Sequence, residues 1–124
     1  MILAIDFDGT IVTDRFPSVG EVKPGAKRCI NLLHSEGYYI IIWTCRTLNK
    51  AQEVAQFLTE NGIHFDKINE SSPMNVEKYS GIDTRKIYAD LYIDDRGLID
   101  LPSWQEIYTI VHNKLPTLAD TGWP

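Results

Sequence analysis

The stretch MILAIDFDGT, residues 1–10, carries an apolar run that ends in two acidic residues. Its apolar side chains predict a buried strand over Ile2–Asp6, and Asp8 follows that strand after one residue. Two carboxylates at the end of a buried strand are unfavourable unless a cation or a reaction uses them. Taken alone, the Asp-X-Asp-Gly pattern is equally typical of a turn. The rest of the sequence therefore has to decide between a functional site and a turn.

The composition indicates an ordinary folded domain. The chain has 124 residues, 44% hydrophobic and 23% charged, which predicts a single domain over residues 1–124. A net charge of −5 argues against a broad basic surface for nucleic acid. No apolar run reaches the ~20 residues of a membrane span, and Asp6 ends the first run too early for a signal peptide. Cys29 and Cys45 are too few for a disulfide framework, so we expect buried thiols and a cytoplasmic protein.

Strand and helix patterns alternate along the chain. Apolar segments rich in β-branched and aromatic residues predict strands over residues 2–6, 38–44, 65–68 and 89–95. Helical spacing predicts helices over residues 24–36, over residues 49–60 and from Ser103 onward. In the first helix, Pro24 fits the first turn and Gly37 fits the C-terminal cap. Alternation of this kind indicates βαβ units, so the predicted fold class is α/β with a central, mostly parallel sheet.

Polar side chains stand at the ends of three of the four predicted strands. Because the carboxyl ends of parallel strands meet at one edge of a sheet, we expect these side chains to lie close together. The carboxylates would repel one another unless a cation neutralised them, and an all-oxygen site with phosphate suits Mg²⁺. The residues are Asp6 and Asp8 after the first strand, Thr44, Cys45 and Arg46 after the second, and Asp94 and Asp95 after the fourth.

These runs resemble the four sequence motifs of the haloacid dehalogenase-like (HAD) superfamily. The matching parts are ILAIDFDGT, the strand that ends in WT, a lysine shortly before the last strand, and the terminal IDD. The segment TRKIYADLYIDDRG, residues 84–97, with the LPSWQEI that follows it, is also similar to the 5′(3′)-deoxyribonucleotidases of the same superfamily. The resemblance implies a three-layer, Rossmann-like fold of the HAD type.

The resemblance also implies a reaction, the Mg²⁺-dependent hydrolysis of a phosphate monoester through an aspartyl-phosphate. Asp6 would be the nucleophile, and Asp8 the general acid and then the general base. The metal ligands would be Asp6, the backbone carbonyl of Asp8, and Asp94 and Asp95, with either of the last two bound directly. Superfamily members that cleave other bonds generally lack an acidic residue at the position of Asp8, so a phosphate ester or anhydride is implied.

The remaining roles implied by the resemblance concern the substrate phosphate. Thr44 would bind its oxygens through the hydroxyl and the backbone N–H, with Cys45 and Arg46 in the same loop. Lys86 would neutralise the charge of the nucleophile and the phosphate. Lys67 and Lys78 are alternatives for this lysine, and Lys86 is preferred because only a short segment separates it from Asp94. Arg85 is a further basic residue beside it.

The chain is expected to lack a cap domain. HAD enzymes carry a cap either after the first motif or between the second and third, and neither interval here leaves room for ~50 residues. The specificity of the capped deoxyribonucleotidases is therefore not carried over. Capless relatives act on large substrates or oligomerise, so the expected partners are a small or large phosphorylated substrate and possible further copies of the chain. The C-terminal tail around Trp123 either docks on such a copy or frays.

Two other interpretations compete with the hydrolase. A response-regulator receiver domain also places acidic residues, a Thr and a Lys around Mg²⁺ on a parallel sheet. Its acidic pair comes first and its phosphorylated Asp in mid-chain, whereas here Asp-X-Asp comes first and Asp-Asp last. A non-catalytic phosphate- or metal-binding module on the same fold is the second alternative, since a fold does not establish an activity.

Overall fold

The computed structural model describes residues 1–47, 49–81, 84–117 and 120, so Trp123 lies outside the described residues. This part of the chain forms six strands and four helices. The strands are β1 (Ile2–Asp6), β2 (Val12–Arg15), β3 (Ser18–Val22), β4 (Tyr39–Trp43), β5 (Lys67–Ile68) and β6 (Leu91–Ile93). The helices are α1 (Ala26–Ser35), α2 (Asn49–Glu60), α3 (Pro73–Lys78) and α4 (Trp104–Lys114).

A four-stranded parallel sheet with the order β5-β4-β1-β6 forms the centre of the fold. Strand β1 pairs with β4 along its whole length and ends level with it, Asp6 opposite Trp43. On its other side, Ile5 of β1 pairs with Ile93 of β6, one residue before Asp94. The carboxyl ends of three strands therefore meet at one edge, and the predicted α/β fold class with a central parallel sheet is confirmed.

The apolar core lies mainly between this sheet and three of the helices. Leu3 and Ile5 of β1 pack in one cluster with buried side chains of α1, α2 and α4. The apolar cluster on the opposite face of the sheet is smaller, and there Ala4 packs with Ile87 and Ala89 from the segment before β6. Full burial of each large aliphatic side chain contributes about 1.5–3 kcal/mol, so the core fixes the strand ends that carry the polar residues.

Several predicted boundaries shift in the structure. Helix α1 begins at Ala26 rather than at Pro24, because Gly25 has a φ of 80° and cannot continue a right-handed helix. Two apolar residues whose spacing suits the buried sides of their helices, Leu32 of α1 and Ile110 of α4, are exposed. Ser103, where the last helix is predicted to begin, is the N-cap of α4, since its hydroxyl accepts a hydrogen bond from the Glu106 N–H at 3.2 Å.

Two elements absent from the sequence prediction occupy the intervals where HAD enzymes carry caps. The antiparallel pair β2–β3 forms a hairpin after the first motif, and α3 lies between β5 and the segment before β6. In the described part of the chain, these intervals otherwise hold only α1, α2 and β5. The hairpin and α3 are far smaller than a domain, which agrees with the expected absence of a cap. None of the described helices is long and apolar enough to cross a membrane.

Candidate active site

The carboxyl edge of the sheet opens into a cleft of about 490 Å³. The hairpin β2–β3 contributes Asp14 and Phe16 to its wall, and the loop after β6 contributes Arg96. The remaining lining residues are all but one of the predicted site residues. They are Asp6, Asp8, Thr44, Cys45, Arg46, Asp94 and Asp95.

Three carboxylates lie close together in this cleft. One oxygen each of Asp6, Asp94 and Asp95 lies within 4.8 Å of the other two. Burial first, and then a hydrogen bond with Asp95 and the charges of Asp94 and Asp95, together raise the pKa of Asp6 from 3.8 to about 8. Among the described residues, no Lys, Arg or His forms an ion pair with any of the three. A hard cation such as Mg²⁺ fits this all-oxygen donor set and would relieve its repulsion.

Thr10 ties the two acidic strand ends together. Its hydroxyl donates to Asp6 Oδ2 at 2.9 Å and accepts from the backbone N–H of Asp95 at 3.0 Å. Its carbonyl accepts from the indole N–H of Trp104 at 2.9 Å, and the residue is fully buried. Sequence reasoning gave Thr10 no role, although the Thr of the DFDGT run was a visible signal. Of the two carboxylate oxygens of Asp6, Oδ2 accepts the hydrogen bond from Thr10 and Oδ1 does not.

The loop after Asp6 is tight enough to require glycine. Gly9 has a φ of 86°, and a Cβ built on it would lie 2.2 Å from Asp95 Oδ2. The Lys23 ammonium donates to the Gly9 carbonyl and fixes the loop from the other side. Any side chain at residue 9 would therefore push Asp95 out of the acidic cluster.

Asp8, two residues after Asp6, has a partner of its own. Arg46 Nε donates to Asp8 Oδ2 at 2.7 Å, and Arg46 Nη2 donates to Asp8 Oδ1 at 2.8 Å. This two-point geometry is the strongest form of a carboxylate–guanidinium pair. The hydrogen bond to Asp8 is the largest cause of the raised pKa of Arg46. Asp8 therefore differs from its acidic neighbours in being neutralised within the chain.

Thr44 is held by a residue that sequence reasoning missed. Its backbone N–H donates to Asn69 Oδ1 at 2.8 Å, and its carbonyl accepts from Asn69 Nδ2 at 2.8 Å. Asn69 follows β5 with a φ of 54°, a conformation that Asn tolerates better than most residues, and an Asn directly after a strand was the available signal. Because the N–H of Thr44 is already used, the hydroxyl is its group left for a phosphoryl oxygen.

Lys86 is the predicted site residue that the structure does not bring into the cleft. Its side chain is exposed, and its ammonium stands 5.0 Å from the centre of the Tyr92 ring. Lys67 pairs with Glu70 at 3.6 Å, so that alternative lysine has a partner elsewhere. In the described part of the chain, the basic residues that line the cleft are Arg46 and Arg96.

The expectation for one of the two cysteines is wrong. Cys29 is buried in the core as expected, but Cys45 is exposed. Cys45 follows the end of β4 and therefore lies in the loop that lines the cleft, beyond the apolar interior of the sheet. Its place directly after the predicted strand over residues 38–44 was the available signal, because loops between elements lie at the surface.

Comparisons with known proteins agree with this geometry. A family model described as haloacid dehalogenase-like hydrolase matches residues 3–95, from β1 to the last carboxylate of the cluster. A solved structure of a conserved protein from Bacteroides thetaiotaomicron is 37% identical, with a TM-score of 0.82 over 98% of this chain and 96% of that chain. The comparison with curated proteins gives no match.

Proposed function

The chain belongs to the haloacid dehalogenase-like hydrolase family, and we propose that it is a Mg²⁺-dependent phosphatase that cleaves a phosphate monoester through an aspartyl-phosphate. The observation that carries this proposal is the cluster of Asp6, Asp94 and Asp95, which no described basic side chain neutralises. Such a cluster is unfavourable unless it receives a cation and a reaction. We further propose that residues 1–124 form one catalytic core.

The metal would be held by Asp6, Asp94 and Asp95, together with the backbone carbonyl of Asp8. When bound, Mg²⁺ would offset the repulsion between these carboxylates and the phosphate and would stabilise charge in the transition state. Thr10 supports the same arrangement, because its single hydroxyl contacts both Asp6 and the backbone of Asp95. This contact would fix the orientation of the proposed nucleophile.

Asp6 would attack the phosphorus atom through Oδ1, since Thr10 holds Oδ2. A bond forms between Asp6 and phosphorus while the bond from phosphorus to the leaving oxygen breaks. Asp8 would give a proton to that oxygen, so the proposal requires Asp8 to be protonated beside Arg46 at this stage. Asp8 then takes a proton from the water that attacks the aspartyl-phosphate, which releases phosphate and restores the Asp6 carboxylate.

The substrate phosphate needs its own ligands. The Thr44 hydroxyl would donate to a phosphoryl oxygen, and the loop through Cys45 lies beside it. Lys86 stays our proposed cation for the third motif, which requires its ammonium to leave the Tyr92 ring. Arg96 already lines the cleft and is the alternative. The hairpin is too small to enclose a leaving group, so we propose a phosphorylated small molecule or a larger phosphorylated substrate that closes the cleft itself.

Turnover of a generic aryl phosphate tests this function. We expect purified protein with Mg²⁺ to release phosphate and to stop when a chelator is added, since the carboxylates would again repel the substrate. Asp6→Asn should lose this activity. Asp14→Asn, the matched control, should keep it, because Asp14 lines the same cleft but has no proposed role. Equal rates with and without metal would contradict the metal-assisted mechanism. No turnover across a broad panel of phosphates would favour a non-catalytic binding module.

A further inference from the structure

The guanidinium of Arg46 is almost fully used within the protein. The side chain is 1% exposed, and it makes four hydrogen bonds out of the five N–H groups that an arginine offers. Two of these bonds go to the two oxygens of Asp8. The other two go to the carbonyls of Pro17 at 3.0 Å and Ser18 at 2.9 Å.

The second pair of bonds reaches the tip of the hairpin β2–β3. Pro17 and Ser18 stand where β2 turns into β3, and the guanidinium carbon lies 4.9 Å from the centre of the Phe16 ring. Arg46 is therefore enclosed between Asp8 on one side and the hairpin tip on the other. A single side chain joins the proposed proton donor to the wall of the cleft.

This enclosure argues against a role for Arg46 as a phosphate ligand. A phosphate oxygen would have to displace the carboxylate or the two carbonyls, and removing one partner of a buried charged pair is strongly unfavourable. The exposed arginine of the cleft, Arg96, is open to a phosphate without such a cost. The expected position of Arg46 beside Thr44 is present, but its donors point elsewhere.

On the basis of the proposed function, we propose that Arg46 is a positioning residue that aims the Asp8 carboxyl at the leaving oxygen and fastens the β2–β3 hairpin to it. Hairpin residues that contact the leaving group would then be held in one rigid unit with the proton donor, Asp8. Arg46 acts through Asp8 and through the hairpin, and it does not touch the phosphoryl group. The loss of this residue should therefore resemble the loss of Asp8 more than the loss of a phosphate ligand.

Arg46→Lys tests the proposal, because lysine keeps the charge but cannot make the two-point pair. We expect kcat for an alkyl phosphate, whose leaving oxygen needs a proton, to fall by at least about tenfold, with a smaller loss for 4-nitrophenyl phosphate. Inhibition by inorganic phosphate should change by less than about threefold. In an Asp8→Asn background, Arg46→Lys should add less than about threefold, since both changes act on one step.

A phosphate ligand would give the opposite pattern. Inhibition by inorganic phosphate weakened by about tenfold or more, equal losses on both substrates and full multiplication with Asp8→Asn would overturn the proposal. A readout without turnover distinguishes this failure from failure of the proposed function. Hydrogen exchange of the backbone over residues 12–22 should speed up in Arg46→Lys but not in Arg15→Lys, a matched change of an exposed arginine on the same hairpin. Unchanged exchange in Arg46→Lys would also overturn it.

Discussion

Two acidic clusters in this molecule differ in whether a basic side chain pairs with their carboxylates. In the cleft, Asp6, Asp94 and Asp95 lie within reach of one ion, and none of the described basic side chains forms an ion pair with them. Near the C-terminal ends of α1 and α4, the carboxylates of Glu36 and Asp120 both contact the ring of one histidine. The first cluster forms no ion pair with the described residues, whereas the second contains a histidine that pairs with both of its carboxylates.

The second cluster is centred on His112. Its Nε2 lies 3.2 Å from Glu36 Oε1, and its Nδ1 bonds to Asp120. Burial alone would lower the pKa of His112, but the bonds to Asp120 and Glu36 outweigh it and raise the pKa above 6.5. Tyr108 donates to Glu36 at 2.8 Å, and this bond is the main reason that its own pKa rises to about 12.

The contrast separates structural carboxylates from functional ones. Glu36 and Asp120 hold chain segments together, so hydrogen-bond donors of the protein surround them. Asp6 accepts one hydrogen bond from the neutral hydroxyl of Thr10, and its hydrogen bond with Asp95 and the charges of Asp94 and Asp95 all raise its pKa. A cluster left in this state stores repulsion that an added cation relieves, which is the basis of the proposed metal site.

The largest expected effect falls on the cleft and separates its two catalytic carboxylates. Asp6→Asn should lose nearly all turnover and fail to form a beryllium fluoride adduct, because an amide is a poor nucleophile. Asp8→Asn should still form the adduct but react roughly 10²- to 10⁴-fold more slowly, because both proton transfers suffer. Steady-state kinetics and adduct formation measure the two effects. A near-normal rate in Asp6→Asn would remove it from the nucleophile's role.

Metal binding should distinguish the two clusters next. Mg²⁺ that binds only the native state should raise the free energy of unfolding by about 2.7 kcal/mol at a hundredfold excess over its dissociation constant. His112→Gln should respond to Mg²⁺ as the wild type does, because His112 contacts Glu36 and Asp120 and none of the three cleft carboxylates. Chemical denaturation with increasing Mg²⁺ measures both proteins. An equal loss of the response in His112→Gln and Asp6→Asn would show that the two clusters are not independent.

Both clusters should lose stability as the pH rises, but for opposite reasons. The raised pKa of His112 gives stability that is complete below about pH 6.5 and is lost as pH rises through the folded-state value. The raised pKa of Asp6 gives stability that is complete below about pH 4 and is lost as pH rises through about 8, where a new negative charge appears.

Denaturation at several pH values, with and without Mg²⁺, separates these two contributions. The stability difference between wild type and His112→Gln should shrink with rising pH whether or not the metal is present. The difference between wild type and Asp6→Asn should depend on pH in metal-free buffer and change when Mg²⁺ binds the carboxylates. If Mg²⁺ altered the His112 difference instead, the assignment of the cation to the cleft would be wrong.

The sequence was sufficient to predict the central sheet and the acidic cluster, because parallel strands bring their carboxyl ends together whatever the loops do. It was insufficient for Thr10 and Asn69, whose roles depend on contacts with residues 85 and 25 positions away. The hairpin β2–β3 was also missed, since Asp14, Pro17 and Gly20 interrupt its strand pattern.

Lys86 shows a different limit of sequence reasoning. Its distance along the chain from Asp94 fits the motif, but the segment before β6 is irregular and its side-chain direction follows local contacts. The Tyr92 hydroxyl donates to the Ile87 carbonyl at 2.6 Å, and the same ring lies under the Lys86 ammonium. Motif spacing predicts how far apart two residues lie in the sequence. The direction of a long, exposed side chain depends instead on tertiary packing.

The metal-free melting temperature of Asp95→Asn beside that of Glu36→Gln tests the contrast most directly, because each change removes one carboxylate charge and keeps its shape. We predict that above about pH 8, where Asp6 is ionised, Asp95→Asn melts at or above the wild-type temperature, since a like charge beside Asp6 is gone, and gains less from Mg²⁺. We predict that Glu36→Gln melts lower, since His112 and Tyr108 lose their charged partner. A marked fall in Asp95→Asn, together with a wild type that millimolar Mg²⁺ leaves unchanged, would contradict a shared cation site.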